Sequence, residues 1–115
     1  MDRYVPICEN RDFRRLYARG KSYVTPLVVI YVRRMRGQDI RLGITTSKKI
    51  GNAVQRNRSR RVIREAFRAL QQEIRPGTEM VLVARGRTPF AKSTAVEKVL
   101  RSELKKAGVL EGKNG

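Results

Sequence analysis

Between Lys48 and Gln72 the chain combines positive charge with apolar bulk at the period of a helix. Asn52 followed three residues later by Gln55 resembles a capping box and places that helix near residues 53–72. At 100° per residue, Val62, Ile63, Ala66, Phe67, Ala69 and Leu70 gather on one side. Asn57, Arg60, Arg61, Arg64 and Arg68 gather on the other, with Arg56 and Arg58 flanking them from the first turns. Lys48 and Lys49 sit in the loop just before. Twenty residues at 1.5 Å rise make a rod of roughly 30 Å, long enough to follow several phosphates. Whatever else this chain forms, it must cover one side of that rod with apolar surface and leave the other side cationic.

The cations within the helix are all arginine, and only Glu65 is acidic between Lys48 and Arg68. Guanidinium groups bind phosphate through paired hydrogen bonds and stack on bases, which ammonium groups cannot do. Repulsion along the helix costs only a few tenths of a kcal/mol per i,i+4 pair, so the array is tolerable but unhelpful without a polyanion. RNA is the leading candidate. The plainer alternative is a solvated face, although acids usually alternate with bases on such faces.

The rest of the composition narrows the chemistry. The 115 residues carry a formal charge of +17, and 40% are hydrophobic, which suits one folded domain over residues 1–115. Histidine is absent and Cys8 is the sole cysteine. The commonest general base is therefore missing, along with any intrachain disulfide or Cys-rich metal site. No apolar run approaches the roughly 18 residues of a membrane span, and no secretory signal is visible. The expectation is a soluble, cytoplasmic binder of nucleic acid, with no membrane partner and no small-molecule substrate.

Along the chain, residues 1–9 read as a loosely ordered lead-in, and residues 109–115 as similarly loose. Asn10 can cap a short helix over residues 11–19, whose Phe13, Leu16 and Tyr17 form one stripe at i, i+3, i+4. A short strand over 21–24 and a firm one over 27–34 follow. Arg36-Gly37-Gln38-Asp39 reads as a hairpin-type loop before a strand over 40–46. After the basic helix, Pro76-Gly77 turns the chain into an apolar strand over 79–84. Thr94 with Glu97 suggests a second capping box opening a helix to about residue 106. The expected fold class is an α/β (α+β) two-layer sandwich in the order α-β-β-β-α-β-α, with a mostly antiparallel sheet.

The run Ser47-Lys48-Lys49-x-Gly51-Asn52-Ala53-Val54-x-Arg56-Asn57-Arg58-x-Arg60-Arg61-x-x-Arg64-Glu65-x-Phe67 closely resembles the signature of the bacterial ribonuclease P protein subunit family. Asp12-Phe13, Gly20-Lys21-Ser22, Arg41-Leu42-Gly43-Ile44 and Val81-Leu82-Val83-Ala84-Arg85 match that family too, so the likeness extends from about residue 11 to 104. It implies a non-catalytic protein subunit that joins a larger catalytic RNA and assists removal of the 5′ leader from precursor tRNA. The hydrolysis would use magnesium held chiefly by RNA, with no catalytic residue, firm cofactor or metal site on the protein. It also implies a left-handed β-α-β crossover spanning the basic helix, against the usual right-handed rule.

Two surfaces follow from the resemblance. Lys48, Lys49, Arg56, Asn57, Arg58, Arg60, Arg61, Arg64 and Arg68 would face the catalytic RNA, with Asn57 orienting a backbone, an RNA group or a metal-bound water, or else serving the fold. Phe13, Tyr17, Val29 and Tyr31 would line a cleft for the leader. The first two lie four apart on a helix and the second two share a strand face. Read without the resemblance, these four are better taken as ordinary core residues. Ser59 departs from the family by standing on the apolar stripe, where its hydroxyl can bond the Gln55 carbonyl. A ribosomal or RNA-chaperone protein with no catalytic partner is the alternative. A major-groove DNA reader is disfavoured because no second helix sits a short turn away.

Overall fold

The computed structural model describes residues 4–111. Its strands are β1 (Val5–Pro6), β2 (Lys21–Val24), β3 (Val28–Arg34), β4 (Ile40–Thr45) and β5 (Thr78–Ala84). Its helices are α1 (Asn10–Arg19), α2 (Ala53–Leu70) and α3 (Ser93–Lys106). The strands form one sheet in the order β1-β4-β5-β3-β2. Both β1 and β5 run parallel to β4, whereas β3 is antiparallel to β5 and to β2.

That topology corrects two expectations. The sheet is evenly mixed, and the Arg36–Asp39 loop closes no hairpin, because β5 lies between β3 and β4. The composition of β5 gives the reason: it is apolar nearly throughout, as a strand covered on both faces requires, and every residue but Val83 is buried. The unit β4-α2-β5 is thus a parallel β-α-β, as the resemblance implied.

Alternation along β3 separates the two faces of the sheet. Val28, Ile30 and Val32 enter the main core with Leu42, Met80 and Leu82, under Ile63, Phe67 and Leu70 of α2 and Leu100 and Leu104 of α3. Tyr31 points the other way, packing with Val83 and Phe13 against a smaller cluster of Ile7, Leu16 and Val81. The longer helices therefore cover one face, and the ten-residue α1 covers only part of the other.

The entry to α2 is built as its sequence suggests. Asn52 Oδ1 accepts from the Gln55 amide at 2.9 Å, and Gln55 Oε1 accepts from the Asn52 amide at 3.2 Å. Gly51 precedes this box at φ +140°, where a Cβ would collide with the Gln55 side chain. Ser59 is fully buried and donates to the Gln55 carbonyl at 3.0 Å. The other two caps are not used. Helix α1 begins at Asn10 itself, and α3 begins at Ser93 with Lys92 in the cap position, neither with a side-chain cap bond. The Thr88–Phe90 3-10 turn, packed beside α2, leads into α3, whose first intrahelical bonds run from the Ala95 and Val96 amides to the Lys92 carbonyl.

The described residues near the chain ends make specific contacts. Val5–Pro6 pairs with β4, the Ile7 amide donates to the Leu42 carbonyl at 2.9 Å, and Tyr4 meets the Phe67 ring edge-on at 5.2 Å. An edge strand tolerates Pro6, which lacks a ladder donor. Val109 is buried, and Leu110 bridges to Ile74. Residues 1–3 and 112–115 lie outside the described residues. No helix among the described residues is long and apolar enough to cross a membrane.

A buried charge cluster seats α1 on the sheet. Glu79, on β5, has a side chain with no solvent exposure and accepts from Arg33 Nε at 2.8 Å and Arg41 Nη1 at 2.7 Å. Asp12, on α1, accepts from Arg15 at 2.8 Å and from Arg41 Nη2 at 3.1 Å. Arg41 thus bridges the helix carboxylate and the strand carboxylate. The hydrogen bond from Arg41 outweighs partial desolvation and holds the Asp12 carboxyl below its ordinary value. A depressed native pKa means the unfolded chain takes up the proton first as pH falls. This contribution is complete above the unfolded value of about 4 and is lost as pH drops through the native value. The urea midpoint should therefore fall on acidification below about pH 4, and Asp12→Asn should flatten that part of the profile. An identical acid slope in the variant would remove Asp12 from the account.

Candidate nucleic-acid interface

On α2, the solvent side carries Asn57, Arg58, Arg61, Arg64 and Arg68, all exposed, and Lys48 and Lys49 are exposed in the 3-10 turn before it. Arg58, Arg61 and Arg64 have no hydrogen-bond or ion-pair partner among the described residues. Cations left unpaired on a rigid helix are available to a polyanion without first breaking an internal bridge. Arg60 is half-buried, and its Nη1 lies 3.4 Å from Asn57 Oδ1. That contact presents the Asn57 amide beside the arginine row.

Arg56 departs from the expected face. It stands seven residues before Ile63, two helical turns, and so points toward the buried side rather than outward. Its Nη1 donates to the Gly51 carbonyl at 2.8 Å, clamping the loop onto the first turn of α2. Ala69 departs in the opposite sense and is exposed, because six residues past Ile63 it has rotated off the apolar stripe.

The four cleft candidates occupy the opposite face of the sheet. Tyr17, on α1, is 40% exposed and meets Tyr31 of β3 edge-on, with ring centroids 4.8 Å apart. Phe13 lies one turn earlier, 6.5 Å from Tyr17, and rests over Gly43 of β4. A Cβ on Gly43 would come within 2.6 Å of the Phe13 ring, so this glycine sets how closely α1 can approach. Val29 is half-buried two residues before Tyr31. The structure thus joins Phe13, Tyr17 and Tyr31 into one aromatic group and continues it through Val29.

Two floor residues went unnoticed in the sequence. Val83 is the cross-strand partner of Val29, and Thr45 is the partner of Val83. Both are half-buried and lie on the α1 face of the sheet. Alternation from Val81 would have signalled Val83, but only the β4-β5 register brings Thr45 beside it.

The two surfaces share an edge. Strand β4 ends at Thr45 on the cleft floor, and the chain passes within a few residues through Lys48 and Lys49 into the first turn of α2. At the same edge β5 ends and leads to exposed Arg85 and Arg87. Arg85 Nη1 donates to the Thr25 carbonyl at 2.9 Å and ties the loop down. The aromatic face of the sheet thus ends at an edge carrying exposed cations, an arrangement that suits unpaired nucleotides.

Such a fold and surface define a small basic α/β domain built to bind RNA. The sequence profile described as Ribonuclease P matches residues 1–108. The ribonuclease P protein component of Clostridium botulinum (strain Loch Maree / Type A3) is 39% identical over 104 residues, spanning 90% of this chain and 94% of that protein. That of Listeria welshimeri is 38% identical over 114 residues, spanning 98% and 96%. Among solved structures, a Staphylococcus aureus RNase P protein superposes with a TM-score of 0.78 at 33% identity, covering 92% of this chain and 97% of that one. The Thermotoga maritima RNase P protein gives 0.77 at 28% identity, covering 94% and 99%. The chain belongs to the ribonuclease P protein family, and its role is that of a ribonuclease P protein subunit. A free-standing ribosomal or RNA-chaperone role is not favoured.

Proposed function

We propose that this subunit grips the catalytic RNA along α2 while its cleft holds the 5′ leader of precursor tRNA, and that the active centre lies in the RNA. The observation that carries this reading is the shared edge at Thr45–Gly51, where an aromatic slot meets an arginine helix. Stacking on Phe13, Tyr17 and Tyr31 would hold unpaired leader bases without demanding a sequence, at roughly 1–3 kcal/mol per base. Arg58, Arg61 and Arg64 would bind phosphates of the catalytic RNA, joined by Arg68, Lys48 and Lys49. Arg56 would act by shaping the loop, and Asn57 by offering its amide to the RNA backbone.

Among the described residues no three histidine, cysteine or carboxylate side chains cluster, and Asp12, Glu73 and Glu79 are each engaged by arginine. In this reading magnesium is held by the RNA and the assembly acts in the cytoplasm.

The test is reconstitution. The chain alone should leave precursor tRNA intact, and with a bacterial ribonuclease P RNA it should promote cutting at the mature 5′ end in low magnesium. Tyr31→Ala in that complex should weaken precursor binding about tenfold and leave mature tRNA binding nearly unchanged. No gain over the RNA alone would remove the subunit reading, and equal loss for both tRNAs would return Tyr31 to a packing role.

A further inference from the structure

Phe90 is 72% exposed, and it stands beside a row of exposed cations. The loop that carries it is not loose. The 3-10 turn Thr88–Phe90 is pinned by buried Thr88, whose Oγ1 accepts from the Arg85 amide at 2.7 Å and donates to the Leu27 carbonyl, and by buried Pro89. The Phe90 amide itself donates to the Arg87 carbonyl at 3.1 Å. The turn that carries the ring is thus held in place, so a contact need order only the ring's own rotamers.

A groove of about 680 Å³ runs between this turn and the flank of α2, with Phe90, Lys92 and Thr94 on one wall and Arg58 and Arg61 on the other. Glu65 is its single acidic lining residue against three cations. Arg58 and Arg61 have no intramolecular partner among the described residues. An exposed aromatic face beside free guanidinium groups offers a base somewhere to stack and its phosphate two donors to meet.

We propose that Phe90 is a stacking platform for an unpaired nucleotide of the catalytic RNA, whose phosphates Arg58 and Arg61 hold across the groove. The groove continues the cationic side of α2, which assigns the nucleotide to the RNA bound there rather than to the leader on the opposite face of the sheet. The identity of that RNA rests on the ribonuclease P reading.

The chain contains no tryptophan, so Phe90→Trp adds a single fluorescent reporter at the platform. Titrating this variant with ribonuclease P RNA should quench its emission at least twofold. Phe90→Ala and Phe90→Leu should each weaken binding of that RNA about tenfold, and Phe90→Tyr should restore it. Thermal melts of the variants should match wild type, since the ring is exposed. Unquenched emission on a variant that binds the RNA, or full affinity in Phe90→Leu, overturns the platform while leaving the subunit reading intact. A concentration-dependent emission change without RNA would assign the ring to a second copy of this chain and overturn it too. If wild type fails to bind the RNA, both readings fall together.

Discussion

Raising monovalent salt from 50 to 200 mM should weaken the complex with ribonuclease P RNA on the order of a thousandfold, if about six phosphates are neutralised. Each neutralised phosphate releases condensed counterions, so log K falls with log salt at roughly −0.7 to −0.9 per contact. Lys48, Lys49, Arg58, Arg61, Arg64 and Lys92 are exposed and suffice for six such contacts. Because Arg61 and Arg64 have no internal partner among the described residues, replacing both with alanine should lower the slope by about two. Cleft variants such as Tyr31→Ala should leave it unchanged, since stacking releases no counterions. Binding titrations at four salt concentrations measure this directly. A flat response would mean that the formal charge of +17 serves something other than the RNA contact.

What could be read from the chain alone was the part governed by local rules. The α2 register follows from period and capping, and Ser59 bonded to Gln55 just as a hydroxyl on an apolar stripe must. Val29 and Tyr31 share a face because strands alternate, whatever sheet they join. What escaped was set by contacts remote in sequence. Strand β1 is two residues long and contains Pro6, so it has no period to detect; pairing with β4 and burial of Ile7 make it. The placement of β5 between β3 and β4 depends on the whole sheet. Arg56 is different: its angular position, two turns before Ile63, is a local matter, and the likeness to its neighbours in the signature hid its bond to the Gly51 carbonyl. The placement of the turn that carries Phe90 depends on Thr88 reaching back to Leu27, a contact with no sequence signal.

The charge cluster under α1 is the clearest case of such remote dependence, and it predicts the largest loss of stability. Glu79→Ala should cost about 3–5 kcal/mol, because it takes the shared carboxylate from two half-buried guanidinium groups, leaving Arg33 with no acidic partner among the described residues and Arg41 with only Asp12. Against a total stability of roughly 5–15 kcal/mol, that approaches unfolding for a domain of this size. The urea midpoint should drop by roughly 2 M, taking a slope of about 2 kcal/mol per molar. Arg11→Ala is the control: Arg11 pairs with Glu9 at a similar 2.8 Å, but both are exposed, so its loss should cost under about 1 kcal/mol. The same comparison reaches the cleft. Arg41 joins Glu79 to Asp12 and so fixes α1, which carries Phe13 and Tyr17. Where Glu79→Ala still folds, at low temperature or with stabilising osmolyte, it should lose preference for precursor over mature tRNA yet keep its salt-dependent grip on the catalytic RNA through α2. Equal costs for Glu79→Ala and Arg11→Ala would show that burial adds nothing to this cluster, and α1 would need another anchor.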